Sequence, residues 1–179
     1  MWASRWGIQW LMVLTAAMLA AAPGAVGQAR SGPLSPCDTV AAYRQLDFWV
    51  GEWRVLLRGR EVGTNRIEKV VHGCAVLEHW RDGNGVEGKS LFYYEPTRRQ
   101  WKQVWVDPGG VKEKHLVATF EGGGVRFQGE LIRGAGRIIL DRTTLSPLPD
   151  GRVRQHIEQS EDGGTTWQSR FDAVYVPAR

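Results

Sequence analysis

Only two cysteines occur in the 179 residues, Cys37 and Cys74, and no C-x-x-C joins them. The four histidines, His72, His79, His115 and His156, stand on separate segments. Such a set does not assemble the four ligands of a zinc site, and no metal is expected. G-x-S-x-G, H-E-x-x-H and P-loop patterns are missing, so the chemistries those motifs carry have no foothold. Lys and Arg lie interleaved with acids, and a net charge of +4 without a basic stripe gives nucleic acid no reason to bind. No repeat recurs at the period of about 40–50 residues that a propeller demands. After residue 46 no segment keeps a long helical period.

The one long apolar run, Leu11 to Ala22, falls short of the roughly 20 residues that span a bilayer. Arg5 precedes it, and Pro23, Gly24 and small residues follow. A basic start, a short apolar stretch and small residues around a cut site describe a secretory signal. Residues 1–27 are read as that signal, with cleavage after Gly27 or Ala29; an uncleaved anchor helix is the alternative. Cys37 follows Leu-Ser-Pro and lies well past the run, so no lipid-attachment signal is present. The mature chain is expected in the periplasm or outside the cell, with no membrane span. There a pair of cysteines is expected to bridge, the alternative being two buried thiols.

What is abundant is alternation and turn chemistry. In Thr165–Val176 one face carries Trp167, Ser169, Phe171, Ala173 and Tyr175 and the other Gln168, Arg170 and Asp172. Period two with one apolar face marks a half-buried antiparallel strand. Clusters such as DGNG, DPGG, EGGG, LPDG and EDGG separate these runs, and Gly, Asp and Asn reverse a chain tightly. About ten strands are expected, at 46–60, 64–72, 74–81, 88–95, 100–107, 111–120, 125–132, 137–146, 152–160 and 165–176; the alternative for the third is a continuation of the second past Gly73. Residues 28–45 form an N-terminal segment with a helical turn or two, and 46–179 form the domain. Hairpins alone make a meander, which removes its edges by closing. The fold class is therefore an all-β, antiparallel up-and-down barrel, with a two-sheet sandwich as runner-up.

Two stretches carry resemblances. Ser160 to Trp167, SEDGGTTW, resembles the Asp-box of sialidases and related propellers. It occurs once, in a chain too short for a propeller, and is read as a hairpin clip made by Ser160, Asp162, Gly164 and Trp167. Leu46 to Val55, LDFWVGEWRV, contains a Gly51–Trp53 G-x-W that resembles the first strand of lipocalins and other calycins. With GC-x-x-x-E-x-W, W-x-Q-x-W-x-D and the SxDGGxTW hairpin, nearly the whole mature chain resembles a family of bacterial, mostly exported, uncharacterised proteins. That resemblance implies a calycin-like barrel and no particular activity. Nitrobindin-type haem barrels open with G-x-W-x-G-x-G, but here Arg54 and Val55 follow Trp53, so no haem or other cofactor is expected.

Some strand faces mix aromatics with single polar groups. Cys74, Val76, Glu78 and Trp80 share one; Trp101, Gln103, Trp105 and Asp107 another; Ser90, Phe92 and Tyr94 a third. Burying Glu78 or Gln103 without partners costs a few kcal/mol (~1–3 per group), whereas a ligand cavity is built from such a mixture. The expected binding site has Trp53, Trp80, Tyr94 and Trp105 as walls, with Ser90, Glu78, Gln103, Asp107 and Arg142 as polar groups. Arg142 is expected to pair with Glu78 or Asp107. The leading expectation is a barrel that binds a small, at least partly apolar molecule. The alternatives are a hydrolase or isomerase using Glu78 or Asp107 as acid or base, and a scaffold for protein contacts with a filled core.

Overall fold

The computed structural model of the chain describes residues 35–133 and 136–178. The expected signal and its cleavage point lie outside the described residues. A short helix, α1 (Pro36–Thr39), is capped by Ser35, whose hydroxyl accepts from the Cys37 amide; 3₁₀ turns follow at Ala41–Arg44 and Asp47–Trp49. Ten strands come next: β1 (Gly51–Leu57), β2 (Arg60–Val70), β3 (Ala75–Asp82), β4 (Glu87–Glu95), β5 (Gln100–Asp107), β6 (Gly110–Thr119), β7 (Val125–Arg133), β8 (Arg137–Pro147), β9 (Val153–Ser160) and β10 (Gln168–Pro177). Each pairs antiparallel with its sequence neighbours, and β1 pairs with β10. The meander therefore closes, and no edge is left unpaired.

The ten-stranded antiparallel barrel and the helical start agree with the pattern of alternation and turns. Two strand starts move by four residues or more. β1 starts at Gly51 rather than residue 46, because Leu46 and Trp49 are wrapped into a 3₁₀ turn and both are fully buried. β2 starts at Arg60, after a two-residue reversal at Arg58 and Gly59, both with positive φ. β2 and β3 are separate strands, Val70 opposite Ala75, joined by a tight turn through Val71–Cys74.

The barrel has two unlike ends. At the end where β1 begins, Leu46 and Trp49 enter the lumen. Trp49 meets Phe92 and Tyr175 edge-on at 5.4 and 6.1 Å, and Phe92 meets Phe127 at 5.3 Å. Trp53 donates its indole N–H to the Trp49 carbonyl at 2.9 Å, so the two tryptophans lock as a stopper. Val55, Ile67, Val76, Trp101, Val125, Leu145 and Val153 complete this layer. Burying an aliphatic or Phe side chain of this kind is worth roughly 1.5–3 kcal/mol.

The stopper is tethered twice. Cys37 and Cys74 form a disulfide, Cα atoms 4.9 Å apart, linking α1 to the β2–β3 turn, and Lys69 of β2 bonds Asp47 at 2.8 Å. The hairpin between β9 and β10 is clipped as its octapeptide suggests. The Ser160 hydroxyl accepts from the Gly164 amide (2.8 Å) and donates to Asp162 (2.7 Å). Asp162 in turn accepts from the Thr166 amide and hydroxyl. Those Thr166 bonds, with the one from Ser160, hold the pKa of the Asp162 carboxyl down to about 2. Among the described residues no helix is long and apolar enough to cross a membrane.

The disulfide closes a loop of sequence separation 37. Replacing both cysteines by serine is expected to cost about 4 kcal/mol of unfolding free energy in the chain-entropy account. Urea titration of the oxidised protein beside the double variant measures it. A loss under about 1 kcal/mol would show that the stopper holds without its tether.

Candidate functional site

Above the stopper the lumen is not filled. A cavity of about 260 Å³ occupies the other half of the barrel, at the end bearing the β1–β2, β3–β4, β5–β6 and β9–β10 hairpins. Its walls at the mouth are Trp80 of β3, Trp105 of β5 and Phe171 of β10; Glu78, Gln103, Gln155 and Tyr175 lie around its floor, and Lys112, Lys114, Thr143 and Gln159 along one side.

Two glycines explain why the tryptophans leave this space open. A Cβ on Gly63 would come within 2.3 Å of the Arg81 carbonyl oxygen and 2.7 Å of the Trp80 ring, and a Cβ on Gly88 within 2.3 Å of the Trp105 ring. The bare backbone of β2 and β4 thus forms hollows into which the indoles lie flat against the wall. Trp105 is fixed there by Asp107, which accepts from the indole N–H at 2.9 Å and from the Gly109 amide at 2.7 Å. Trp80 meets Phe171 edge-on at 6.3 Å.

The floor is a directed chain of hydrogen bonds. Gln103 donates to the Ser90 hydroxyl at 3.0 Å, and Ser90 bonds the Glu78 carboxyl. Asn65 donates to Glu78 at 2.7 Å and to the Tyr175 hydroxyl at 3.2 Å, and Tyr175 donates to Gln155 at 2.8 Å. Two acceptors in this layer, Asn65 Oδ1 and Gln103 Oε1, have no partner. Glu78 is only 3% exposed. Burial raises its carboxyl above the ordinary 4.5; bonds from Asn65 and Ser90 and the Lys114 charge recover only part. Burial also pushes the Tyr175 hydroxyl well up, so it keeps its proton.

A buried ion pair supports the side wall. Lys114 of β6 pairs with Asp141 of β8 and donates to Thr143 at 2.7 Å; Gln159 of β9 donates to Asp141 at 2.8 Å. Burial alone would raise the Asp141 carboxyl, but the Lys114 charge and bond, with Gln159, outweigh it and hold the group below its ordinary value. Burial lowers the Lys114 ammonium, which Asp141 offsets in part. A pair as enclosed as this is worth little against an apolar substitute, and breaking one side of it is costly.

Of the residues singled out from the sequence, Glu78, Trp80, Gln103, Trp105 and Asp107 stand together around the cavity, and Ser90 sits directly behind Glu78 and Gln103. Three do not join them. Trp53 belongs to the stopper, its indole N–H used by Trp49. Tyr94 lies at the closed end, edge-on to Tyr43 of the N-terminal segment at 5.0 Å. Arg142 points outward, because β8 directs Ile139, Asp141, Thr143 and Leu145 inward. It pairs with neither Glu78 nor Asp107; it forks onto Glu158 at 2.8 and 2.9 Å and stacks 3.8 Å over Trp167. Sequence reasoning missed Asn65, Lys112, Lys114, Asp141, Gln155 and Tyr175. Opposite charges on the Lys112/Lys114 and Ile139/Asp141 faces were the one signal that could have found part of this set.

The histidines lie away from the cavity; His79, for one, bonds Glu68 and Lys89 at 2.8 Å on the outer surface. Among the described residues no three His, Cys, Asp or Glu side chains gather as metal ligands. Compared with known proteins, the chain matches no family model and no curated protein.

Two outcomes follow from this geometry. Native Glu78 holds its proton to higher pH than the unfolded chain does, so its favourable contribution is complete below about pH 4.5 and is lost as pH rises through the raised value. Glu78→Gln keeps an acceptor for Asn65 and a donor for Ser90 but cannot ionise. Its stability relative to the native protein, read from thermal unfolding, is expected to climb between pH 4 and 8. The gain is about 1.4 kcal/mol for each tenfold by which folding strengthens proton binding at Glu78; parallel pH profiles would refute the raised carboxyl. Gly88→Val, by contrast, is expected to evict the Trp105 ring into the lumen at a cost of about 1–3 kcal/mol. A crystal structure of that variant with the ring unmoved would remove the hollow's role.

Proposed function

We propose that this chain is an exported barrel protein that binds one small, at least partly apolar molecule in the open half of its lumen. Three features support the reading. The walls are flat aromatic faces, the floor holds fixed polar groups, and the buried Gln103 carbonyl oxygen lacks a partner at the cavity. That unpartnered oxygen is the observation that carries most weight, since a buried acceptor left alone costs about 1–3 kcal/mol and a ligand donor would relieve it. At about 260 Å³ the space sits just under the ~300–1,000 Å³ of drug-sized sites, so the ligand is small. Export is supported by the leader pattern and by a disulfide, which persists in oxidising compartments. The DFWVGEW opening and the SEDGGTTW hairpin keep the likeness to bacterial exported barrels as the family reading. A scaffold with a filled core fits poorly with an open lumen.

Native mass spectrometry of protein recovered from the periplasm or medium tests this. A bound small molecule is expected, displaced when Trp105→Ala opens the mouth. Protein that is always empty, and whose tryptophan fluorescence answers no small-molecule library, would reject the reading.

One observation favours catalysis as a second reading. Glu78 is a buried carboxyl with its proton affinity raised, facing a cavity, which is the environment of a general acid or base. If a turnover is found, Glu78→Gln should abolish it while leaving the fold intact; an unchanged rate clears Glu78 of that role.

A further inference from the structure

The cavity has unmet demands of two kinds, at two heights. At the floor the unmet group is an acceptor. The Gln103 amide nitrogen donates to the Ser90 hydroxyl at 3.0 Å, which leaves the carbonyl as the free end of Gln103. That oxygen is enclosed, on a residue 6% exposed, and has no partner. At the mouth the groups left without a hydrogen bond are cations. Asp107 is satisfied by Trp105 and Gly109, and Asp141 by Lys114 and Gln159. Lys112 stands 3.8 Å from Asp141 and Arg170 stands 3.9 Å from Glu161, and neither ammonium nor guanidinium makes a hydrogen bond among the described residues.

The spacing between these demands is set by the sheet. Gln103 faces Lys114 across the β5–β6 ladder and Trp105 faces Lys112, so acceptor and cation differ by two residues along the strands. At about 3.4 Å per residue that is roughly 7 Å. A single six-membered ring with substituents at opposite ends spans such a distance, and Trp80, Trp105 and Phe171 supply faces for it to stack on.

We propose that the ligand is a one-ring aromatic acid: its carboxylate at Lys112 and Arg170, its ring between the mouth aromatics, and a hydroxyl or N–H at the far end donating to Gln103. This rests on the binding reading above and specifies its ligand class. Lys114 contributes as the charge behind Lys112, and the Glu78 carboxyl, when protonated, adds no opposing charge to the floor.

Titration calorimetry at low salt, with 4-hydroxybenzoate, benzoate, phenol and tyramine as probes, tests the assignment. 4-Hydroxybenzoate is expected to bind at least tenfold tighter than benzoate, which lacks the donor, and than phenol, which lacks the anion. Tyramine, cationic at the mouth, is expected to be weaker still. Lys112→Gln should cost 4-hydroxybenzoate about tenfold, leave phenol unchanged and flatten the salt dependence. Gln103→Leu should reduce 4-hydroxybenzoate to the affinity of benzoate. Should Gln103→Leu fail to fold, the half-exposed Lys112 variant and the four-probe ranking still decide.

Phenol or tyramine binding as tightly as 4-hydroxybenzoate would overturn the class. So would a native adduct whose fragmentation shows no acid group, although the binding reading would then survive. No adduct and no probe binding would overturn both. An adduct identified as a one-ring acid with a remote donor would support the class even if these four probes bind weakly.

Discussion

Closure of the sheet is the constraint on which everything else depends. β1 and β10 are the ends of the domain in sequence, and their pairing, Val55 opposite Tyr175, turns a meander into a tube. A tube of ten strands is wider than an eight-stranded barrel, whose interior side chains just fill it. The surplus width is divided unequally here. One end receives Leu46, Trp49 and Trp53 as a stopper, and the other has its largest side chains laid against the wall. The cavity is what remains once the stopper and the two glycine hollows have taken their shares.

Polar burial then follows from geometry rather than from composition. An inward face of a closed barrel has no solvent to turn to, so Glu78, Ser90, Gln103, Lys114, Asp141 and Gln155, all buried, must satisfy one another. They largely do so along two lines, the Gln103–Ser90–Glu78–Asn65–Tyr175–Gln155 chain and the Lys114–Asp141–Gln159 cluster. The unpaired oxygens of Asn65 and Gln103 stand out because their neighbours are so thoroughly used.

Alternation made the strands and most of the inward faces legible. Glu78, Gln103, Trp105 and Asp107 could be grouped from period two alone because β3 and β5 run without a bulge and pair in continuous register. Parity failed where the register shifts or where the apolar pattern is balanced. In β10 a bulge between Ser169 and Phe171 breaks the phase, so Phe171, Ala173 and Tyr175 face in while Trp167 ends outside against Arg142. In β8 both faces carry aliphatic residues, Ile139 and Leu145 on one and Leu140 on the other. A charged group therefore had to be buried on either choice, and only the opposite signs of Asp141 and Lys114 hint that they are partners. The Leu46 and Trp49 part of the stopper was hidden for another reason: Leu46–Trp49 reads as the start of a strand until a closed tube requires something to fill its end.

The octapeptide of the β9–β10 hairpin gains meaning from its place at the mouth. Its internal bonds use up Ser160 and Asp162. The indole of Trp167 donates to the Gly164 carbonyl at 3.0 Å and offers its face to Arg142. Arg142 is itself held by Glu158 on β9, so β8, β9 and the hairpin are braced together from outside. The strands so braced carry Asp141, Gln159, Arg170 and Phe171, which build one side of the cavity and its rim. A long hairpin free to sway would move Arg170 and Phe171 with it, and a site whose groups wander loses the preorganisation that binding requires. The clip and the Arg142–Trp167 stack thus do from the outer surface what the glycine hollows do from within: they keep the mouth in one shape.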